Sequence, residues 1–157
     1  IDTPHWSVAL LNSKSDTPAG LVDSASLEKI QSVNNLGKHV LLCMHHHPVD
    51  VGYGIDKHGL NNKTEFWQHI NDNKNVKAVV CGHVHHAMKL VKSLDERDII
   101  IYTCPATSVE FDKTSDSVQI TSQGPGYQLL TLSPEGTISS KLKYFFPNFI
   151  LKSDLST

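Results

Sequence analysis

Two short stretches of this 157-residue chain concentrate side chains that can do chemistry. "CMHHHPVD" sets His45, His46 and His47 after an apolar run and before Pro48. "VVCGHVHHAM" sets His83, His85 and His86 after a second apolar run and Gly82. Neutral imidazole is the commonest protein metal ligand. His-x-His on extended backbone turns both side chains to one face, within reach of one ion. A sharp turn between them would let them serve two neighbouring ions, and Gly82 permits such a turn and a close approach of the backbone. Imidazoles alone suit zinc, iron, manganese or nickel, so the pattern leaves the metal open. A lone histidine is ordinarily structural or half-exposed, but two clusters in equivalent places call for a common cause. Familiar alternatives lack their partners: there is no H-E-x-x-H, no aspartate directly after the H-x-H, and no glutamate closely following it.

Both clusters need strand ends to hold them. "WSVALL" predicts a strand over 6–11, "KHVLLCM" one over 38–44, and "VKAVVCG" a third. The last two are continuous apolar runs, as in strands covered on both faces. "DSASLEKIQSVNN" predicts a helix over 24–34, capped by Asp23 or Ser24 and stopped by Gly37. "NKTEFWQHINDN" predicts a second helix with Asn62 and Glu65 as a capping box, and Phe66 and Ile70 on one face. Strand, helix, strand, helix, strand implies a mostly parallel sheet with right-handed crossovers. Ligands of such sheets sit beyond the carboxyl ends of the strands, where both clusters fall. Later the pattern changes. "HAMKLVKSLDERDIIIYTC" predicts two strands joined by a charged turn. "GYQLLTLSPEGTISSKLKYFF" predicts a hairpin about Pro134-Glu135-Gly136, so antiparallel strands follow the parallel part. The polar loop 112–126 between them is a candidate lid or dimer contact. Trp6, Phe66, Trp67, Phe145 and Phe146 read as core or strand-face aromatics.

The bulk numbers narrow the function classes. Net charge is −2 with ten histidines, and no basic stripe argues for nucleic acid. No apolar run approaches the roughly 18 residues that span a bilayer. Cys43, Cys81 and Cys104 are odd in number and form no C-x-x-C, which fits small core residues in a reducing compartment such as the cytoplasm rather than a disulfide framework. The chain opens on "IDTPHW" without Met or a visible signal peptide, which reads as a fragment or processed product.

Taken together, "WSVALLNS", "GLVDSASLEKI", "LLCMHHHP", "DKHGLNN", "VKAVVCGHVHH", "PATSVEF" and "GPGYQLLTL" resemble the calcineurin-like metallophosphoesterases. Within them the resemblance is to the C-terminal half of the bacterial class III 3′,5′-cyclic AMP phosphodiesterases. It implies an α/β fold, half of a β-sandwich flanked by helices. It implies a centre of two metal ions (iron, manganese or zinc) and hydrolysis of a cyclic nucleotide, or a related phosphodiester, by metal-hydroxide attack. By the H-x-P and G-H-x-H patterns, His46 and His83 would serve one metal and His85 the other. His45 and His47 would be substrate-facing or supporting neighbours, and His86 lies outside the motif as a structural or solvent-facing residue. "CPATSVEF", 104–111, matches a segment near the active-site rim.

The same resemblance exposes a gap. The family's D-x-H, G-D-x-x-D and G-N-H-D/E motifs, which supply its carboxylates, have no counterpart in their expected place. The one Asp-x-His triplet, Asp56-Lys57-His58, follows the motifs that it should precede, and reads as unrelated to metal though able to shape the substrate mouth. Residues 1–157 therefore read as a partial domain. Alone, it is expected to be inactive or nearly so, to bind metal weakly, and to self-associate through a bared sheet edge. A second reading is a non-catalytic metal-binding or interaction module that retains the histidines. A third is a domain in which they merely cap strands.

Overall fold

The computed structural model describes residues 1–34, 37–114 and 119–145. The elements are β1 (Trp6–Leu10), α1 (Ser24–Asn34), β2 (His39–Met44), α2 (Lys63–Asp72), β3 (Val76–Cys81), β4 (Met88–Ser93), β5 (Asp98–Thr103), β6 (Gly126–Leu132) and β7 (Ile138–Tyr144), with a short 3-10 helix at Gly54–His58. Five strands form one sheet in the order β1-β2-β3-β5-β4. β1, β2, β3 and β5 run parallel, and β4 lies antiparallel to β5 at the edge. β6 and β7 pair as a separate antiparallel hairpin.

The first antiparallel pair thus extends the parallel sheet instead of starting a new one. Burial explains the choice. Ile99, Ile101, Tyr102 and Thr103 of β5 are all buried, as an inner strand requires, whereas β4 alternates between half-buried and exposed positions as an edge strand does.

Strand alternation sends β2 into two cores. Val40, Leu42 and Met44 join Val22, Leu27, Ile30, Phe66, Trp67 and Ile70 beneath the two helices. Leu41 and Cys43 face the other way, with Trp6, Ala78 and Tyr102, toward Leu130, Leu132 and Ile138 of the hairpin. The sheet is therefore sandwiched between helices and hairpin. Polar contacts fix the hairpin: the Trp6 indole donates to the Ser133 carbonyl at 2.6 Å, and the His39 ring lies 3.1 Å from the Pro134 carbonyl. The turn needs glycine twice over at Gly136. Its φ is +89°, and a Cβ there would come within 2.7 Å of the His39 ring.

The helix starts differ from one another. Asp23 caps α1, its Oδ1 accepting the Ser26 amide at 2.8 Å. At α2, no capping box forms. The Asn62 side chain accepts the Val22 amide at 3.2 Å and donates to the Val22 carbonyl at 2.8 Å, while its amide also donates to the Glu65 carboxylate at 3.0 Å. Asn62 has become a clamp on the loop before α1, which leaves it no oxygen for its own helix. At the far end of α2, Arg97 from the β4–β5 turn donates to the Ile70 and Asn73 carbonyls, both at 2.6 Å.

The aromatics divide. Trp6, Phe66 and Trp67 are buried. Phe145 is exposed and leans on Tyr127, with ring centroids 5.7 Å apart, outside either core. Phe146, and residues 115–118 of the polar loop, lie outside the described residues. No described helix is long and apolar enough to cross a membrane.

Replacing the fully buried Phe66 by Ala is expected to lower stability by about 3–5 kcal/mol. Leu129→Ala, at a position 56% exposed, is expected to stay within about 0.5 kcal/mol of wild type. Urea denaturation of both variants checks the assignment of the core.

Candidate metal centre

Parallel register builds the site. Leu10 of β1 aligns with Cys43, and Met44 of β2 aligns with Cys81. The residues just beyond these strand ends therefore meet: Ser13 after β1, His45–His47 after β2, and His83 after β3. Backbone bonds lock the join. The amides of Gly82 and His83 both donate to the His45 carbonyl, at 3.0 and 2.9 Å. The Ser13 hydroxyl accepts the His45 and His46 amides, each at 3.2 Å, and lies 2.9 Å from His46 Nδ1.

His45, His46 and His83 each offer one ring nitrogen, and these three atoms lie within 4.8 Å of one another. His46 is buried and His45 exposed, so the group opens to solvent on one side. His45 Nε2 and His83 Nδ1 are 3.0 Å apart, sharing one proton. Buried His83 Nε2 has no hydrogen-bond partner among the described residues. That atom is better a bare lone pair than an orphaned N–H, which would cost about 1–3 kcal/mol.

The donor set fits a metal ion in type. Around a tetrahedral ion with metal–nitrogen distances of about 2.1 Å, ligands stand about 3.4 Å apart. The three ring nitrogens lie within 4.8 Å of one another, so the widest pair has to close by up to about 1.4 Å through side-chain adjustment. The group contains no carboxylate, so its chemistry suits one ion with open positions better than a carboxylate-bridged pair.

The expected residues are not all brought together. His45, expected beside the metal, joins the cluster. His47 is completely buried and lies against Asp56 rather than on the cluster's open side. His85 stands apart: its backbone takes φ +61°, its Nδ1 is 3.2 Å from the Val109 carbonyl, and its ring stacks on Phe111 at 4.7 Å and 12°. A turn between His83 and His85 does occur, the His85 amide reaching the Gly82 carbonyl at 3.4 Å, and His85 lies outside the three-nitrogen group. His86 is buried and structural, with Nε2 2.6 Å from the Phe111 carbonyl and Nδ1 3.3 Å from Glu110. Residues 109–111 thus anchor this second pair from the 104–111 segment. Asp56 reaches the cluster's flank through His47, 3.3 Å away.

Sequence reasoning passed over Ser13 and Gly20. A Cβ on Gly20 would sit 2.4 Å from His46 Cγ, so only glycine lets the loop close over that ring. The available signal was Ser13's place beyond a parallel strand, level with the histidines.

No protein-family model matches the chain. A probable cyclic nucleotide phosphodiesterase of Colwellia psychrerythraea is 48% identical over 145 residues, covering 90% of this chain and 55% of that protein. The chain is a relative of the bacterial cyclic nucleotide phosphodiesterases. The 3′,5′-cyclic adenosine monophosphate phosphodiesterase CpdA of Vibrio vulnificus is 31% identical over 92% of this chain and 55% of its own length, and that of Escherichia coli K12 is 28% identical over 88% and 50%. This relative of the phosphodiesterases therefore spans about half the length of the curated proteins it matches. Among solved structures, a dimetal phosphatase from Danio rerio overlays 55% of this chain and 27% of its own, with a TM-score of 0.43 and 18% identity.

Crowding keeps the rings neutral. Burial, then the neighbouring imidazoles of His46, His45 and His47, push His83 down to about 4. Burial is also the leading cause holding down His45, His46 and His47. An unfolded histidine titrates near 6.5. As pH falls, the unfolded chain therefore takes up protons before the folded one does. Stability is fully present above about 6.5 and is lost progressively toward about 4. Urea midpoints of metal-free protein should fall over that window, and His83→Gln should flatten the fall; a midpoint independent of pH would contradict the assignment.

Proposed function

We propose that this chain forms one half of a metal-dependent phosphodiesterase that hydrolyses a cyclic nucleotide such as 3′,5′-cyclic AMP. The observation that carries it is the 48% identity with a probable cyclic nucleotide phosphodiesterase across 90% of the chain. The converging imidazoles support it chemically.

In this reading His46 and His83 hold one ion, with His45 as a third donor or as its open-side neighbour. His85 serves a second ion from the Phe111 side. When bound, such ions supply positive charge for the phosphoryl oxygens and an activated water. The chain's own residues do the rest. Ser13 orients His46, and Gly20 closes over it. Burial keeps the imidazoles neutral and their lone pairs available at pH 7. The exposed flank at His45 admits the anionic substrate.

The missing carboxylates make the isolated chain inactive or nearly so, and a weak metal binder. Leu10 of β1 is 69% exposed, and on the edge of β1 away from β2 the only pairing among the described residues is with the folded-back residues 1–3; this edge is the proposed route of self-association. The same lack of a carboxylate in the cluster favours a second reading, a metal-binding module without catalysis. An upstream coding sequence bearing D-x-H, G-D-x-x-D and G-N-H-D motifs would end the module reading.

The test is an assay of this polypeptide on 3′,5′-cyclic AMP with added manganese or iron. Turnover at least a thousandfold below a full-length relative is expected (about 4 kcal/mol in the barrier); turnover near the relative's would contradict the half-site reading.

A further inference from the structure

Asp56 belongs to the chain's one Asp-x-His triplet, and the metal motifs leave it unused. Its carboxylate is nevertheless held firmly. Oδ1 accepts the Val51 amide at 2.7 Å, Oδ2 accepts the Gly52 amide at 2.8 Å, and Oδ1 stands 3.3 Å from His47 Nε2. An ionised carboxylate only accepts, so His47 Nε2 carries the proton and Nδ1 is bare.

His47 is held as closely. It is completely buried, its carbonyl accepts the Leu60 amide at 2.9 Å, and a Cβ on Gly59 would come within 3.0 Å of Nε2. The imidazole lies nearly parallel to that of His83, centroids 5.8 Å apart at 17°. His47 therefore forms a wall beside His83, and Asp56 holds the wall. Carboxylate–histidine pairs beside metal sites ordinarily fix ring orientation in this way.

We propose that Asp56 and His47 are positioning residues: the carboxylate fixes the tautomer and plane of His47, and the His47 ring sets the orientation of the His83 imidazole in the cluster. The functional consequence rests on His83 being a metal ligand; the positioning itself does not.

The experiment is long-range proton–nitrogen NMR of histidine-labelled, untagged chain, first metal-free and then titrated with zinc. His47 is expected as the Nε2–H tautomer. Asp56→Ala is expected to move the ring resonances of both His47 and His83 and to weaken zinc binding about 10–100-fold. Asp56→Asn keeps an oxygen for His47, and should retain the tautomer and most of the affinity. An Nδ1–H tautomer in the wild type, or unmoved His83 resonances in Asp56→Ala, would overturn the proposal. If Asp56→Ala does not fold, His47→Gln decides in the same way: shifted His83 resonances support positioning, and unshifted ones overturn it. Wild-type chain that takes up no zinc would defeat the metal reading, while the metal-free spectra still judge the positioning.

Discussion

Everything at this site depends on one carbonyl oxygen. The His45 carbonyl accepts the amides of both Gly82 and His83, and so carries the β2–β3 ladder one step past the end of the strands. Parallel pairing keeps equivalent strand ends level. Extending it by those two bonds forces three imidazoles from two distant segments into one small volume. Ser13, from the end of β1, closes the same join from the other side by accepting the His45 and His46 amides. The two-faced burial of β2 then makes the arrangement rigid, because any slip of register would move its side chains from one core to the other.

Rigidity has a cost. Packing imidazoles against one another and out of water disfavours their charged forms, and leaves buried nitrogens on His47 and His83 without partners among the described residues. A sequence selected for stability alone would place apolar side chains there. The remaining fold offsets the cost with two full cores, one beneath the helices and one beneath the hairpin.

Much of this was legible in the chain. The apolar runs gave the strands, Asp23 and Gly37 bounded the first helix, and Pro134-Glu135-Gly136 marked the hairpin. What could not be read depends on contacts between segments far apart. β5 enters the parallel sheet because its burial pattern suits an inner position, and a short apolar run does not say which neighbour it will choose. Asn62 looked like a cap until Val22, forty residues away, claimed its side chain. The place of His45 in the cluster, and the positive φ at His85, are backbone outcomes that no side-chain pattern announces. Asp56 lies nine residues from His47, and only the intervening loop and 3-10 turn bring them together.

The central claim is that strand register, with no carboxylate among the described ligand atoms, assembles an imidazole site able to take a metal ion. X-ray absorption of the untagged chain loaded with one equivalent of zinc measures this directly. The account predicts nitrogen ligands at about 2.0–2.1 Å with the multiple scattering of two or three imidazoles. Sulfur scattering at about 2.3 Å, or a shell of oxygen with no more than one imidazole, would contradict it.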